Sequence, residues 1–280
     1  MKILNSKNNF LGLDNKNSSY NNSQVIIMPV TLNKNSVNKS ILSILKESHR
    51  LSTYDEEQKR EIAFEKGICT LETNKFTSSE KSLKRLEQEI ENQIDKEKCA
   101  IIIGSEKMIS LPVYNAHVKK YQDLSILYFS AYSNLSYQNG NNLIAKISEH
   151  KNDIIEVGVR SISKEELKLK NERRIKIFYS REIKLGMYGD NWQEITAKDL
   201  LNNVLIIFDL NAFDPSVIKT NQSEPGGLLW DEIMNLIKIV GIDKNIVGLC
   251  ITGFNSSKCD INDSYLVAKL IYKILNYKFS

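Results

Sequence analysis

The chain has 280 residues, and its 38 Lys and Arg residues against 34 Asp and Glu residues give a formal net charge of +4. A hydrophobic fraction of 41% with 26% charged residues is typical of a globular protein that is long enough to bury a large core. The small, dispersed charge does not favour nucleic acid binding, and no apolar stretch is long enough to predict a membrane span.

The first 23 residues are rich in Asn and Ser and lack a sustained apolar core. This composition predicts a mobile N-terminal arm over residues 1–23, with Phe10 and Leu11 docking locally, and it predicts no signal peptide. The cysteines form no CxxC pair, which favours reduced, buried thiols and a cytoplasmic protein. They are Cys69, Cys99, Cys250 and Cys259.

Short apolar runs alternate with helical patterns along the rest of the chain. The runs are rich in Ile, Val and aromatic residues, and several are apolar throughout, which is typical of parallel strands covered on both faces. The predicted strands are Gln24–Val30, Cys99–Gly104, Leu124–Ser130, Ile154–Arg160, Ile175–Ser180, Val204–Leu210 and Asn245–Ile251.

The clearest helical pattern starts at Thr77-Ser-Ser-Glu80, which has the spacing of a capping box. A stripe of apolar residues at helical spacing follows, formed by Leu83, Leu86, Ile90 and Ile94. The mixed charges of 164–174 indicate a solvated helix face, and a final helix is predicted over about 263–277. The repeated strand–helix–strand order predicts one three-layer α/β/α domain over residues 24–280, with a mostly parallel central sheet.

Ligands of such a sheet bind beyond the carboxyl ends of its strands, so the residues that follow each apolar run are the candidates for a site. The run from Val204 ends in Asp209 and is followed by Asp214. Asn211 stands where a second acid on the face of Asp209 would be expected. The other strand ends contribute Glu106, Lys107, Ser130, Tyr132, Asn134 and Gly253.

These strand ends, in this order, resemble the ureohydrolase family of arginases and agmatinases, and most of all the agmatinase branch common in Bacteroidota. The resemblance covers nearly the whole chain and is carried by the segments 65–68, 157–161, 214–215, 224–228 and 268–270. It implies an arginase-like fold, assembly into trimers or hexamers, and hydrolysis of a guanidino C–N bond with release of urea. In this chemistry, two Mn²⁺ ions lower the pKa of a bridging water.

The chain departs from the family pattern at almost every metal-ligand position. Asp209 is the only ligand type retained, and the other ligand positions hold Lys107, Ser130, Tyr132, Asn134 and Asn211. On the substrate side, Asn141 lies near the place of a family His that helps proton transfer, and Gly253 takes the place of a family Glu. The glycine-rich loop after the first strand is reduced to Asn33–Val37, which lacks glycine.

The sequence is therefore compatible with three functions. The leading hypothesis is a pseudoenzyme with a degenerate metal site, for which we expect no cofactor and assign no catalytic residue. Its role would be structural or interactive, either as a subunit or as a partner of polyamine-pathway enzymes. The alternative is an active hydrolase with two Mn²⁺ ions and an altered site, which would convert agmatine to putrescine and urea. The third is a binding module for a guanidinium or polyamine, with Asp209, Glu106 and Asp214 as anionic contacts.

The residue types suggest how a site without metals would be neutralised. We hypothesise that the ammonium of Lys107 occupies the space of a metal and pairs with Asp209, with Glu106 as a second candidate partner, because converging buried acids need a compensating charge. A surface lysine is the open alternative. Tyr132 is predicted to fill part of the metal cavity.

The remaining features have structural interpretations. Asp214-Pro215 is predicted to form a turn, and Gly226 and Gly227 to give backbone freedom before a helix that begins near Leu228. None of the histidines His49, His117 and His150 falls on a ligand position, and His117 is predicted at the surface or between helices.

Overall fold

The computed structural model describes residues 2–32, 39–136, 143–149, 153–173, 175–254 and 260–280. Its nine described strands are β1 Val25–Thr31, β2 Ile68–Thr70, β3 Asn74–Lys75, β4 Cys99–Gly104, β5 Leu124–Phe129, β6 Asp153–Val159, β7 Lys176–Tyr179, β8 Asn203–Asp209 and β9 Asn245–Thr252. They form one sheet in the order β2-β1-β4-β9-β8-β5-β6-β7, with β3 paired to β1. Every pairing between these strands is parallel.

The α-helices lie between the strands in the chain. Those in the described residues are α1 Asn15–Ser18, α2 Lys39–Glu47, α3 Ile62–Lys66, α4 Glu80–Ile94, α5 Ser110–Lys120, α6 Leu143–Ile147, α7 Lys164–Arg173, α8 Ser180–Lys184, α9 Trp192–Asp199, α10 Trp230–Asp243 and α11 Ile261–Lys278. Short 3₁₀ turns follow two of the strands, at Lys107–Ile109 after β4 and at Leu210–Ala212 after β8.

Both faces of the sheet are buried, which explains why the strands are apolar throughout. Successive residues of a strand point to opposite faces. On one face, Ile101 and Ile206 belong to an apolar cluster with side chains of α2, α10 and α11. On the other face, Ile102 and Ile207 belong to a cluster with side chains of α4, α5 and α6. The predicted three-layer α/β/α fold with its mostly parallel sheet is confirmed.

Each of the seven predicted strands is present, with ends that differ from the prediction by at most one residue. The predictions missed β2 and β3, which contain three and two residues. Strands this short show no recognisable alternation or apolar run, and their pairing with β1 is what defines them.

The predicted capping box at the start of α4 is wrong, although the helix and its apolar stripe are present. The helix begins at Glu80 with Ser79 as its N-cap, and no side chain caps it. The Thr77 backbone N–H instead donates to Ser82 Oγ at 2.9 Å. Glu80 therefore lies at the first helical position, where its carboxylate is too early in the chain to complete a box.

Two other helix starts were close to their predicted positions. The final helix begins at Ile261, where the Asp260 carboxylate accepts the backbone N–H groups of Asn262 and Asp263. The helix predicted to begin near Leu228 begins at Trp230.

The prediction for His117 is wrong, because this residue lies neither at the surface nor between helices. His117 is fully buried between α5 and β9, and its Nδ1 lies 2.7 Å from the carbonyl oxygen of Val113. A Cβ at Gly248 on β9 would come within 2.3 Å of the His117 ring, so the glycine makes the space that the ring fills. Burial lowers the pKa of His117 to about 4, which keeps the imidazole neutral at physiological pH.

The cysteines have the environment that was predicted for them. Cys69, Cys99 and Cys250 are free and buried, while Cys259 lies outside the described residues. Burial raises the pKa of the Cys250 thiol to about 12, as expected of a small core residue. No helix in the described ranges is both long and apolar enough to cross a membrane.

The N-terminal segment makes specific contacts with the domain. The Phe10 side chain is 0% exposed and belongs to the apolar cluster on the α2 face of the sheet. The backbone N–H of Phe10 donates to Thr70 Oγ1 at 3.0 Å, and that of Leu11 donates to Ser48 Oγ at 2.8 Å. These contacts fit the predicted local docking of Phe10 and Leu11, while the mobility of residues 1–23 stays a prediction.

Truncating Phe10 tests how firmly this segment is held. We expect Phe10→Ala to lower the free energy of unfolding by about 3 kcal/mol, because it removes a fully buried ring from the core. Urea unfolding followed by circular dichroism measures the change, with the half-exposed Phe64→Ala as the control. A loss below about 0.5 kcal/mol would mean that the arm is detached in solution.

Candidate functional site

An ion pair lies at the carboxyl edge of the sheet, where the sequence predicted a site. Lys107 follows β4 in the turn Lys107–Ile109, and Asp209 is the last residue of β8. The Lys107 Nζ lies 2.6 Å from Asp209 Oδ2. The hypothesis that Lys107 pairs with Asp209 is confirmed, and the alternative of a free surface lysine is wrong.

The Asp209 carboxylate is buried, with a side chain only 1% exposed, whereas the Lys107 side chain is 15% exposed. Asp209 Oδ1 accepts the backbone N–H of Asn211 at 3.2 Å, so the acid also caps the turn Leu210–Ala212. Burial raises the pKa of Asp209, and the positive charge of Lys107 acts against this rise. Within the described part of the chain, neither Asp209 Oδ2 nor Lys107 Nζ has a partner with hydrogen-bond geometry, so the 2.6 Å contact is an ion pair and the Asp209 charge depends on Lys107.

Gly253 makes this pairing sterically feasible. The order β4-β9-β8 puts β9 between the strands that carry Lys107 and Asp209, and Gly253 directly follows β9. A Cβ at Gly253 would come within 2.5 Å of Asp209 Oδ1. Its φ of +89° also lies in a region that favours glycine. A larger residue, such as the Glu that the family resemblance puts here, would collide with Asp209 in this position.

Glu106, expected as a second partner of Lys107, forms no ion pair in the described residues. Its Oε2 atom is buried and has no hydrogen-bond partner there. The part of the prediction that joins Lys107 to Glu106 is therefore wrong. Glu106 is the N-cap of the turn Lys107–Ile109, and its backbone is extended.

The polar residues at the end of β5 bond mainly to one another and to Asn211. Asn211 Oδ1 accepts the backbone N–H of Ala131 at 3.0 Å and lies 3.4 Å from Ser130 Oγ. Asn134 Nδ2 donates to the hydroxyl of Tyr128 at 2.8 Å and to the carbonyl oxygen of Tyr132 at 2.9 Å. This network of neutral groups joins β5 to β8 at four positions where the family resemblance puts metal ligands: Ser130, Tyr132, Asn134 and Asn211.

Tyr132 extends from this network to the Lys107–Asp209 pair. The Lys107 Nζ lies 5.4 Å from the centre of the Tyr132 ring, within the range of a cation–π contact. The Tyr132 hydroxyl donates to Glu224 Oε2 at 3.1 Å. The ring therefore packs beside the ammonium, in agreement with its predicted space-filling role.

A cavity of about 240 Å³ remains above the ion pair. Its wall is polar and includes both members of the pair, Gly253, and side chains that the sequence did not single out. The lining residues are Ser105, Lys107, Asp209, Asn211, Thr220, Asn221, Gln222 and Gly253. Two features predicted for the substrate side, Asn141 and the loop Asn33–Val37, lie outside the described residues.

Arg160, which follows β6, holds the loops of this edge together and was missed as a site residue. Its guanidinium donates to the carbonyl oxygens of Asn211 at 2.8 Å, Phe213 at 3.2 Å and Glu224 at 2.7 Å. Further bonds reach the carbonyls of Gly158, Ala212 and Pro225. Its position at the carboxyl end of a predicted apolar strand marked it as a candidate, while its carbonyl partners leave no signal in the sequence.

The segment Asp214-Pro215 and the following glycines form a structural turn, as predicted. The Asp214 carboxylate accepts the backbone N–H groups of Ser216 at 3.0 Å and Gly227 at 2.9 Å. Hydrogen bonds with Ser216 lower the pKa of Asp214 against the opposing effect of burial. A Cβ at Gly227 would come within 2.4 Å of the Asp214 backbone nitrogen, so glycine is required because these two backbone segments approach each other closely.

A second buried acid, Glu156, lies inside the sheet below the site. It is on β6, opposite Tyr128 on β5 and Ile177 on β7. The side chain is 0% exposed, and neither carboxylate oxygen has a partner among the described residues. Burial, with a smaller effect of the Glu166 charge, raises the pKa of Glu156 well above its usual value.

This raised pKa makes stability depend on pH. The folded state keeps a proton on Glu156 that the unfolded chain releases above about pH 4.3, so this contribution to stability is present at acid pH and is lost as pH rises toward the folded-state pKa. We expect Glu156→Gln to raise the free energy of unfolding by about 2 kcal/mol at about pH 8 and to change it little at about pH 4. Urea unfolding at both pH values, with the exposed Glu165→Gln as the control, measures the effect; an equal effect at both pH values would contradict it.

The chain matches a known protein family over most of its length. The model of the Arginase family matches residues 31–276. The chain belongs to the arginase family. This agrees with the ureohydrolase resemblance seen in the sequence, while a special closeness to Bacteroidota members stays a prediction.

Two ureohydrolase relatives match the chain at modest identity. The chain is 23% identical to an N(1)-aminopropylagmatine ureohydrolase of Synechocystis over 93% of this chain and 90% of the relative. It is 25% identical to an agmatinase of Bacillus cereus, over 62% of this chain and 61% of that protein. Against this second relative, the match covers less than two thirds of the relative's length.

The arginase-family fold is also evident from a solved structure. The agmatine ureohydrolase of Thermoplasma volcanium superposes with a TM-score of 0.79, covering 94% of this chain and 92% of that one, at 19% identity. At this identity the likeness establishes the fold alone. The chemistry has to be argued from the residues at the carboxyl edge of the sheet.

Proposed function

We propose that this arginase-family chain is a non-catalytic member, in which an ion pair takes the place of two metal ions. The observation that carries the proposal is the 2.6 Å contact between Lys107 Nζ and Asp209 Oδ2 at the edge where the family resemblance puts the metal ligands. An ammonium this close to the only retained ligand type competes directly with a cation for the same carboxylate.

The donor set does not fit a pair of Mn²⁺ ions. Such a site needs several carboxylate and imidazole donors, whereas Ser130, Tyr132 and Asn211 offer hydroxyl and amide groups. No group of three or more His, Cys, Asp or Glu side chains in the described ranges has the arrangement to hold a metal ion. The bonds of Ser130 and Asn211 to the protein itself support the same conclusion, because a ligand atom has to be free to face the metal.

The retained scaffold supports a structural or interaction role. The core clusters on both faces of the sheet are complete, and the differences from the family pattern concentrate at the strand ends. We propose a cytoplasmic homo-oligomer, a trimer or hexamer, that acts as a subunit or as a partner of polyamine-pathway enzymes. The names of the matched ureohydrolases are the basis for the pathway.

The second candidate is an active hydrolase of agmatine or a related guanidino compound. The observation in its favour is the cavity of about 240 Å³ above the ion pair, which retains a polar wall. The third candidate, a guanidinium or polyamine module, is weakened because the charge of Asp209 is already compensated and Glu106 is not part of the cavity wall.

Urea release separates the first two candidates. The purified chain would be incubated with Mn²⁺ and with agmatine, arginine or N(1)-aminopropylagmatine, alongside the Bacillus cereus agmatinase treated in the same way. We expect no urea above the rate of a boiled sample, while the agmatinase control turns over. Urea release that saturates with any of these substrates would contradict the proposal.

Calorimetry with agmatine, putrescine and spermidine tests the third candidate, and saturable binding would favour it.

A further inference from the structure

A second, larger cavity opens beside the carboxyl ends of β6 and β7. Its volume is about 590 Å³, against about 240 Å³ above the ion pair, and the two cavities share no lining residue. Volumes of about 300–1,000 Å³ are typical of small-molecule sites, and the carboxyl ends of parallel strands are where such sites occur. The cavity therefore has the size and the location of a ligand site.

The wall of this cavity is mainly apolar. Val159 ends β6, Ile162 follows it, and Pro225 also lines the cavity. Leu185 also lines the cavity and is 60% exposed, so part of this apolar wall faces solvent. Water on this surface would be released by an apolar ligand, which favours binding.

The wall is held in place by contacts of its own. The Ser180 hydroxyl, at the start of α8, donates to the carbonyl oxygen of Gly226 at 2.5 Å. The Tyr188 hydroxyl donates to the Glu182 carboxylate, and the Tyr188 ring packs against Phe178 with 4.9 Å between ring centres. These bonds fix α8 against the loop of Pro225, so the cavity is formed before a ligand arrives.

The charged side chains around this cavity are mainly positive. Three basic residues and one acid line the cavity. The Arg160 guanidinium is occupied by backbone carbonyls, and the Glu182 carboxylate by the Tyr188 hydroxyl. Arg181 and Lys184 form no ion pair with any residue that the structure describes, which leaves two cations beside the apolar wall.

We propose that this cavity binds an amphipathic monocarboxylate, with its apolar chain against Val159, Ile162 and Leu185 and its carboxylate at Arg181 and Lys184. A bare inorganic anion would leave the apolar wall in contact with water, and a neutral hydrocarbon would leave the two cations unused. An amine would be repelled by them. The site is separate from the Lys107–Asp209 pair, so it does not depend on the proposed loss of metal chemistry.

Titration calorimetry with octanoate tests this site. We expect one octanoate per chain with a Kd below about 5 mM, while acetate and octanol bind at least about tenfold more weakly because each lacks one half of the recognised chemistry. The absence of a saturable heat with octanoate, or binding of octanol as tight as that of octanoate, would overturn the proposal.

A charge-removing variant assigns the binding to this cavity. The double variant Arg181→Gln with Lys184→Gln changes two exposed residues and is expected to fold normally, and it should weaken octanoate binding about tenfold. The matched control, Lys81→Gln with Lys198→Gln, removes the same charge at exposed positions outside this cavity and should bind as the wild type does. Equal affinity in both double variants would overturn the assignment.

Discussion

Replacing Lys107 with methionine should lower the free energy of unfolding by about 4 kcal/mol at about pH 8, because it leaves the buried Asp209 carboxylate without its counter-charge. Methionine keeps an apolar chain of similar length, so the change isolates the charge. The matched control is Lys238→Met, which removes the exposed ion pair with Glu57, whose atoms lie 2.5 Å apart, and should cost less than about 1 kcal/mol.

The sign of the pH dependence follows from Asp209. Burial already raises its folded-state pKa, and removing Lys107 removes the main opposing effect. In the folded variant, Asp209 will therefore stay protonated up to a higher pH than in the wild type. The variant is stable while Asp209 carries its proton at acid pH, and it loses stability as the pH rises through the raised pKa of Asp209. The difference between wild type and Lys107→Met should be small at about pH 4 and largest at alkaline pH.

A double variant separates the charge from the space it occupies. Adding Asp209→Asn to Lys107→Met removes the uncompensated charge and should recover at least half of the lost stability, as seen by urea unfolding. If Lys107→Met were as stable as the wild type at every pH, the two side chains would not be paired in solution.

Replacing Arg160 with alanine should lower the free energy of unfolding by at least about 4 kcal/mol, because several buried carbonyls lose their donors together. The guanidinium bonds Asn211, Phe213 and Glu224, whose loops form one wall of the site. The loss should also be visible as faster backbone hydrogen exchange in residues 211–213 and 224–225.

Arg160→Lys tests whether geometry or charge matters at this position. A lysine keeps the charge but offers a single ammonium in place of a planar fork of donors, so we expect it to recover less than half of the stability that alanine loses. Full recovery by lysine would show that the charge, and not the set of carbonyl contacts, is what the loops require. Arg173→Ala provides a comparison, since that guanidinium bonds one carbonyl and one hydroxyl.

The strands could be predicted from the sequence because they depend on local patterns, whereas the Lys107–Asp209 pair could be predicted only with the family resemblance of the strand ends. Apolar runs mark strands that are covered on both faces, and parallel strands bring their carboxyl ends to one edge. The family resemblance puts Lys107 and Asp209 at ligand positions of that edge, and a buried acid without a metal needs a compensating charge, which together predicted their pairing. The short strands β2 and β3 carry no such pattern and exist through their pairing with β1.

Other parts of the site depend on the order of the strands in space, which the sequence does not contain. Gly253 is required because β9 lies between β4 and β8 and because its Cβ would meet Asp209. The role of Arg160 was missed because its partners are backbone carbonyls, which leave no signal in residue types. His117 was placed wrongly because the space it fills is made by Gly248, a residue on a distant strand.

The number of metal ions per chain is the most direct test of the central claim that an ion pair replaces the metals. The full chain would be incubated with excess Mn²⁺, desalted and measured by inductively coupled plasma mass spectrometry, with the Bacillus cereus agmatinase as the positive control. We predict fewer than about 0.2 Mn per chain, since Lys107 occupies the carboxylate that a metal would need. A content of about two Mn per chain would contradict the account.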